Sequence, residues 1–293
     1  MKAGSASSTA LLIARSLLLA EATPELRPLL LGETAALTRR LLDAAGAAPW
    51  FEIALRHRLV RRGLLAVERM ILPGIILHWL VRKRLLDAHA RDAIAGGCRQ
   101  LVVLGAGLDT LAWRLRGECA GFEIDHPATQ AIKARVLDGE PVLLAADLLD
   151  ASPARVLAAE PRYDAEQPAM FVAEGLLMYL PPARVAELFA ELAAFSAPGS
   201  RFAFTFMEAR PGKPLGFCNG RRVVNWWLRV RGEPFRWGLA RADAESFLAR
   251  HGWRPAALSS PEEMRRSFLE PHGLAGAPLA IGESVALAYR GAS

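Results

Sequence analysis

The sequence is poor in cysteine and in lysine. Its 293 residues include only three cysteines, Cys98, Cys119 and Cys218, which are odd in number and widely spaced. This argues against both a disulfide framework and a zinc-ligand cluster, so we expect no metal site and a reducing, cytoplasmic environment. Only four of the 36 basic residues are lysines, so arginine carries nearly all the positive charge of a chain with formal net charge +6.

The sequence also lacks a long uninterrupted apolar run. Arg15 interrupts the apolar residues 11–19, and no small-residue cleavage site is well placed, which favours a helix over a signal peptide. Residues 64–81 are interrupted by Glu68 and Pro73 and leave no span of about twenty apolar residues. We therefore predict no transmembrane helix.

The densest basic run has no aromatic residues interleaved with it. It consists of Arg56, His57, Arg58, Arg61 and Arg62, at helical spacing. This pattern favours a solvated helix face, with a membrane surface or nucleic acid as the alternatives. Because no nucleic-acid motif accompanies the run, we expect no nucleic-acid partner.

The order of predicted elements is that of an α/β protein. Apolar residues recur at three- and four-residue spacing from about 8 to 95, which predicts an N-terminal helical cap. Short apolar runs then alternate with helical segments; the runs are 100–104, 119–124, 142–145, 169–173 and 201–206, and the helices 108–115, 127–137, 153–159 and 182–195. This alternation predicts a mainly parallel sheet with helices on both faces and a ligand at the carboxyl ends of the strands.

The predicted boundaries divide the chain into two parts. We assign residues 1–95 to the helical cap and 96–293 to the catalytic domain, with a lid inserted at about 208–240. A helix near 242–250 and strands near 253–257 and 284–289 complete the second part. At 293 residues the chain suits one large domain with additions better than two full domains.

A glycine turn follows the first predicted strand and opens a helix. Gly105 and Gly107 would let the backbone approach a ligand closely. A dinucleotide-binding turn needs a third glycine or alanine where this chain has Thr110, and it places a pyrophosphate beside the helix. Asp109 would repel that phosphate, whereas a sulfonium cofactor with an ammonium group favours nearby carboxylates.

Acidic residues recur at the ends of successive predicted strands. Asp125 lies 20 residues after Gly105, where an acid can accept hydrogen bonds from ribose hydroxyls. Asp147 follows the third strand and Glu174 the fourth. Asp125 alone could instead favour the next helix dipole, and either of the others alone could be a loop acid. Together they indicate a site for a cationic nucleoside cofactor.

Five motifs make the sequence resemble the leucine carboxyl methyltransferase family in its bacterial form, over roughly residues 82–253. They are LVVLGAGLDT at 101–110 followed by WRL at 113–115, FEIDHP at 122–127, AEGLLMYLP at 173–181, the pair Arg82 and Arg84 before Asp87, and GEPF at 232–235 with GL at 238–239 and GW at 252–253. The resemblance implies a Rossmann-like class I methyltransferase fold. It also implies a seven-stranded, mainly parallel sheet whose last strand is antiparallel.

The resemblance further implies an S-adenosylmethionine-dependent O-methyltransferase. The implied cofactor-binding residues are Arg82 for the methionine carboxylate, Gly105 and Gly107 for the turn, Asp125 for the ribose, Asp147 and Leu148 for the adenine, and Glu174 for the methionine ammonium. The Tyr-Glu pair of protein-modifying members is Met207-Glu208 here, and their N-terminal basic residue has no match. These departures favour a small-molecule acceptor over a protein carboxylate. A non-catalytic cofactor-binding protein is the other alternative.

Methyl transfer places few demands on acid–base chemistry. A carboxylate acceptor needs no base, whereas a hydroxyl acceptor needs one, and the polar candidates are Glu208, Tyr179 and His126. Each has an alternative interpretation: Glu208 as a surface acid, Tyr179 as a core residue and His126 as a helix cap.

An aromatic cluster lies in the predicted lid. Trp226, Trp227, Phe235 and Trp237 could wall an apolar substrate pocket, which predicts a hydrophobic substrate. The alternative for Trp226 and Trp227 is packing of an amphipathic helix against the domain.

Overall fold

The computed structural model describes residues 7–47 and 49–291. Five helices form its N-terminal part: α1 (Ser8–Glu21), α2 (Thr34–Ala44), α3 (Pro49–Leu55), α4 (Arg58–Ile71) and α5 (Ile75–Ala95). The prediction of an N-terminal helical cap is therefore confirmed. The break between α4 and α5 lies at Pro73 and at Gly74, whose φ of +79° is a backbone conformation that glycine adopts without strain.

The rest of the chain builds one twisted sheet. Its strands are β1 (Gln100–Leu104), β2 (Ala120–Asp125), β3 (Val142–Ala145), β4 (Ala169–Ala173), β5 (Arg201–Glu208), β6 (Gly238–Leu239), β7 (Arg254–Ser259) and β8 (Glu283–Tyr289). The order is β3-β2-β1-β4-β5-β8-β7, and β6 pairs with β5. β8 is antiparallel to both neighbours, whereas the other pairings are parallel. The predicted seven-stranded sheet is confirmed, with the two-residue β6 as an addition.

Helices connect the strands and cover the sheet: α6 (Leu111–Arg114), α7 (Pro127–Lys133), α8 (Pro153–Ala158), α9 (Pro182–Phe195), α10 (Arg222–Val230), α11 (Ala244–Arg250) and α12 (Pro261–Phe268). α6 begins three residues later than predicted because residues after Gly107 form a turn, in which the Leu111 amide donates to Asp109 Oδ1 at 2.5 Å. α10 lies within the predicted lid.

Two hydrophobic layers sandwich the sheet. Successive residues of β1 belong to opposite layers, with Leu101 and Val103 on the side of α1 and α5, and Val102 and Leu104 on the other side. This alternation is the two-residue period of a strand whose faces are both covered. The carboxyl ends of the central strands therefore open at one edge of the sheet, next to α1 and α5.

Within the described residues, no single helix is both long and apolar enough to cross a membrane. α4 and α5 meet the length and composition criteria only as a pair, and they are bent by 89° at their junction.

Candidate cofactor and substrate site

A cavity of about 230 Å³ lies at the carboxyl ends of β1, β2, β3 and β4, beneath α1. It brings together all of the residues that the sequence predicted to bind the cofactor, namely Arg82, Gly105, Gly107, Asp125, Asp147, Leu148 and Glu174. Tyr179 and His126 also line it, whereas Glu208 does not. These residues come from four separate strand ends and α5, so only the fold brings them together.

The glycine turn forms one wall of this cavity. Gly105 and Gly107 have φ angles of +62° and +52°, which disfavour any side chain. A Cβ at Gly105 would lie 2.7 Å from Leu176 Cδ1, which is too close without movement of that side chain. The turn therefore presents bare backbone to the cavity, as a closely bound ligand requires.

Asp125 lies at the end of β2 with its carboxylate anchored by the backbone. Its Oδ2 accepts a hydrogen bond from the Gly107 amide, and its Oδ1 accepts one from the His126 amide at 2.5 Å. Burial raises the pKa of Asp125, and the two amide bonds oppose that effect. A carboxylate has about four lone-pair sites, so each oxygen keeps capacity to accept a bond from a ligand hydroxyl.

Glu174 lies at the end of β4 and bridges two cations of α5. Arg82 Nη2 is 2.8 Å from Glu174 Oε1, and Lys83 Nζ is 3.1 Å from Glu174 Oε2. Lys83 also pairs with Asp109 of the glycine turn. The cavity floor is thus a chain of alternating charges in which each cation contacts a carboxylate.

Behind the cavity, Arg82 is held by a second carboxylate. Its Nη1 lies 2.8 Å from both oxygens of Glu283, and His78 Nε2 lies 2.9 Å from Glu283 Oε2. Burial disfavours the charge on Glu283, but Arg82 and His78 outweigh it and lower the pKa of Glu283 to about 2. Burial likewise opposes the charge on Asp109, yet Lys83 holds the pKa of Asp109 well below its ordinary value.

The sequence interpretation missed Lys83, Glu283 and Glu233. It considered Arg82 and Arg84, but Arg84 points to the carbonyls of residues 28 and 29, at 3.4 and 3.3 Å. Two signals were present: Lys83 is one of four lysines in the chain, and Glu283 begins a strand whose other residues carry no charge.

The predicted adenine end of the cavity is closed by local turns. Asp147 Oδ1 accepts from the Leu149 amide at 3.0 Å, and Leu148 is buried. His126 caps α7, because its Nδ1 accepts from the Ala128 amide at 3.2 Å. The capping interpretation of His126 therefore describes its contacts, although its ring still lines the cavity.

The outer wall is formed by α1 and the loop 232–236. Glu233 accepts hydrogen bonds from the Ser8 amide at 3.0 Å and from the Thr9 amide and hydroxyl at 3.2 and 2.6 Å. These bonds satisfy free amides at the start of α1 and fasten it to the loop. α1 then contributes the apolar lining residues Ala10, Ile13, Ala14 and Leu17.

The four aromatic residues expected to wall the substrate pocket do not line this cavity, so that expectation was wrong. Trp226 is 61% exposed, and Trp237 is buried in the core instead. Phe235 packs behind the wall, with its ring 5.6 Å from that of Tyr179. α1 supplies the apolar surface because Glu233, two residues before Phe235, ties that helix over the cavity.

Glu208 lies away from the cavity, at the end of β5. The Ser284 hydroxyl donates to its Oε1 at 2.5 Å, and Arg241 is 3.8 Å from the same oxygen. Tyr179 does face the cavity, and burial raises the pKa of its phenol. At neutral pH Tyr179 is therefore a hydrogen-bond donor.

A profile of leucine carboxyl methyltransferases matches residues 26–193, more than half of the chain. The chain belongs to the leucine carboxyl methyltransferase family. It is 36% identical over 209 residues to a protein of Mycolicibacterium smegmatis provisionally named an S-adenosyl-L-methionine-dependent methyltransferase; the match covers 64% of this chain and 63% of that one. A protein of Mycobacterium tuberculosis H37Ra with the same name is 36% identical over 196 residues, with 64% and 62% covered. The matches thus span less than two thirds of these relatives.

Two solved structures share the fold. One is a protein from Thermobifida fusca that is provisionally described as a methyltransferase. It has a TM-score of 0.57 at 16% identity, and the match covers 87% of this chain and 94% of that one. The other, a DUF574 family protein from Streptomyces avermitilis, has a TM-score of 0.58 at 17% identity, covering 86% and 96%. The predicted family and the predicted class I methyltransferase fold are both confirmed.

Proposed function

We propose that the protein uses S-adenosylmethionine to methylate a carboxylate oxygen of a small apolar acid. The observation that carries this proposal is the convergence of the glycine turn and four acids, Asp109, Asp125, Asp147 and Glu174, on one cavity at the strand ends. When bound, S-adenosylmethionine would supply a methyl group made electrophilic by a positively charged sulfur. Carboxylates around the cavity favour that cation and disfavour a pyrophosphate.

The floor of the cavity fits the amino-acid end of such a cofactor. Arg82 and Lys83 can bind a carboxylate, and Glu174 between them can bind an ammonium group. Both cations already contact Glu174, so the charges are positioned before a zwitterion binds. Asp125 keeps acceptor capacity for ribose hydroxyls at the opposite side of the glycine turn.

The hydrogen bonds of the polar groups around the cavity favour a carboxylate acceptor over a hydroxyl. Tyr179 keeps its proton, and His126 uses Nδ1 as an acceptor and thus presents Nε2–H as a donor when neutral. Both oxygens of Glu233 already bind the start of α1. Neither Tyr179 nor His126 is therefore placed to remove a proton from a hydroxyl, whereas a carboxylate acceptor needs no base.

Arg236 supports the same class of acceptor. It lines the cavity beside Pro234, and no carboxylate of the described residues lies within ion-pair distance of it. A guanidinium can hold a carboxylate through two parallel hydrogen bonds, which leaves an oxygen lone pair free to attack. Ala10, Ile13 and Leu17 of α1 would pack against the apolar part of the acid.

In this arrangement the protein acts mainly by alignment and exclusion of water. The α1 wall, fastened by Glu233, covers the cavity, and the charged floor orients the cofactor from below. Holding two reactants in line can lower the activation barrier by roughly 7–11 kcal/mol in favourable cases. A cytoplasmic location remains a prediction.

Calorimetric titration tests the cofactor. S-adenosylmethionine and S-adenosylhomocysteine should bind, and NAD should not. Glu174→Gln and Asp125→Asn should each weaken binding roughly 10- to 100-fold, the value of one charged hydrogen bond. Asp150→Asn, at an exposed acid outside the cavity, is the matched control. Preference for NAD, or unchanged affinity in both cavity variants, would refute the assignment.

A second assay tests the acceptor. With methyl-labelled cofactor, apolar carboxylic acids should give labelled esters, and alcohols of the same chain length should give none. Arg236→Gln should raise KM for the acids at least tenfold with a smaller change in kcat, while Arg250→Gln should change neither. Labelled ethers, or an Arg236→Gln enzyme with unchanged KM, would show that the carboxylate assignment is wrong while leaving the cofactor result intact.

A further inference from the structure

Exposed apolar side chains are concentrated on three helices. Of the thirteen large hydrophobic residues that are exposed in the described chain, nine lie on α3, α4 and α10: Trp50, Ile53, Leu59, Val60, Val67, Met70, Val223, Trp226 and Val230. Leu59 is 80% and Trp50 66% exposed. We call these nine residues and the arginines beside them the arginine–apolar surface. Such a concentration marks an interaction site.

α4 is amphipathic on its outer side. Leu59, Val67 and Met70 lie at i, i+8 and i+11, which places them on one exposed stripe at 3.6 residues per turn. Arg58, Arg62 and Arg69 form a parallel exposed row beside that stripe, at i, i+4 and i+11. Glu68 lies on the opposite, half-buried side of the helix, away from this row.

α10 repeats the pattern. Val223, Trp226 and Val230 lie at i, i+3 and i+7 and are exposed, while Arg222 and Arg229 form the adjacent exposed row. The two helices are joined, since the Arg221 amide donates to the Ile71 carbonyl at 2.9 Å.

The charge of the chain is segregated onto the same segments. Residues 53–67 contain four arginines and no acid, and residues 209–232 contain five arginines, one lysine and no acid. These ten positive charges exceed the net charge of +6, so the rest of the chain carries 6 − 10 = −4. The positive charge is therefore concentrated on the two chain segments that include most of α4 and all of α10.

We propose that the arginine–apolar surface docks on an anionic lipid bilayer, with α4 and α10 lying in the headgroup region. Exposed tryptophan and aliphatic stripes bordered by arginine are the features of interfacial helices. A second copy of this chain would bring like-charged arginine rows together. Nucleic acid would neutralise the arginines but leave the aliphatic stripes in water.

The location of this surface is consistent with an apolar acceptor. α10 ends at Val230, and Gly232, Glu233 and Pro234 already line the cavity. Docking through α10 therefore sets the outer wall of the cavity next to the bilayer.

Co-sedimentation of the full chain with vesicles tests the proposal. Vesicles of equal parts phosphatidylcholine and phosphatidylglycerol should bind the protein, and phosphatidylcholine alone should not. Arg222→Gln/Arg229→Gln should lower the partition coefficient roughly 30-fold, since each arginine near such a surface contributes about 1 kcal/mol, or fivefold. Arg250→Gln/Arg254→Gln removes the same charge from exposed positions elsewhere and should bind like the unmodified protein.

The apolar contribution is tested separately. Trp226→Gln and Leu59→Gln should each reduce binding at high salt, where screening removes most of the arginine contribution. Tyr289→Gln, at an exposed residue of β8, is the control. Equal binding to both vesicle types, no effect of the surface variants, or dimerisation in place of lipid binding would overturn the proposal. None of these outcomes bears on S-adenosylmethionine binding.

Discussion

Arginine has opposite roles in two regions of the molecule. Arg82, in the floor of the cavity, is 3% exposed and contacts two carboxylates, and those contacts outweigh the effect of burial and raise its pKa. Arg58 and Arg222, on the arginine–apolar surface, are exposed and have no carboxylate within ion-pair distance in the described residues. The residue type is the same, and the surroundings decide whether it holds the fold together or remains available to a partner.

The physical reason is desolvation. A buried charge costs several kcal/mol unless it is paired and hydrogen-bonded, so the interior accepts Arg82 only with Glu174 and Glu283 in place. An exposed charge keeps its water and needs no partner. Removing a carboxylate behind the cavity should therefore lower the free energy of unfolding strongly. Removing an arginine from the surface helices should change it little.

The largest effect is expected from Glu283→Gln. It leaves Arg82 and His78 buried with one carboxylate fewer, so the free energy of unfolding should fall by about 3–5 kcal/mol. Urea unfolding followed by circular dichroism measures this. Glu262→Gln removes an exposed carboxylate from its pair with Arg265 and should lower the free energy of unfolding by less than about 1 kcal/mol. Equal losses in the two variants would contradict the contrast.

At low pH the contribution of Glu283 to the free energy of unfolding should disappear. The carboxyl has a pKa of about 2 in the folded protein against an ordinary value of 4.5, so the unfolded chain takes up the proton first. The contribution of Glu283 to stability is fully present above about pH 4.5 and is lost as the pH falls toward 2. The difference in the free energy of unfolding between the unmodified protein and Glu283→Gln should therefore become smaller over that interval. Urea unfolding at a series of decreasing pH values measures this difference. A constant gap would show that Glu283 is not held ionised.

Lys83→Gln should have an intermediate effect. Lys83 faces the cavity, with 12% of its side chain exposed, and its loss leaves Asp109 without its closest cation. Stability should fall by about 1–3 kcal/mol, and the pKa of Asp109, followed by NMR titration, should rise. Lys213→Gln, at an exposed lysine, should leave both quantities unchanged. An unchanged pKa of Asp109 in Lys83→Gln would show that Lys83 does not stabilise the charge of Asp109.

The smallest effect is expected on the surface helices. Trp226→Gln should change the free energy of unfolding by less than about 0.5 kcal/mol, because the ring is already exposed to water. Trp253 is the matched interior residue: it is 1% exposed, and its indole donates to the Phe189 carbonyl at 3.0 Å. Trp253→Gln should cost several kcal/mol, roughly 3–5. A large loss from Trp226→Gln would mean that α10 stabilises the fold.

Local sequence predicted the parts of the fold that depend on chain neighbours. β1, β3, β4 and α9 have the residue boundaries expected from their apolar runs and from the proline that starts α9. α12 was missed because its eight residues, Pro261–Phe268, are mostly polar and give a weak apolar period. The division at residue 95 remains a prediction.

The residues proposed to bind the cofactor could be placed around one cavity from the sequence because most belong to motifs within a few residues of a strand end. Gly105, Asp125 and Glu174 needed no knowledge of their final neighbours. The outer wall of the cavity could not be predicted in this way. It depends on Glu233 reaching Thr9, 224 residues earlier in the chain, and on α1 covering the cavity as a result.

The sequence by itself thus determined the family, the order of the main strands, and the acids that surround the cavity. These depend on local period and on short motifs. Only the tertiary structure decided which cations those acids contact and which residues form the apolar wall. It also showed that Trp226 faces water rather than substrate. Long-range pairing and burial settle these points, because a side chain's charge partner and solvent exposure depend on residues far away in the chain.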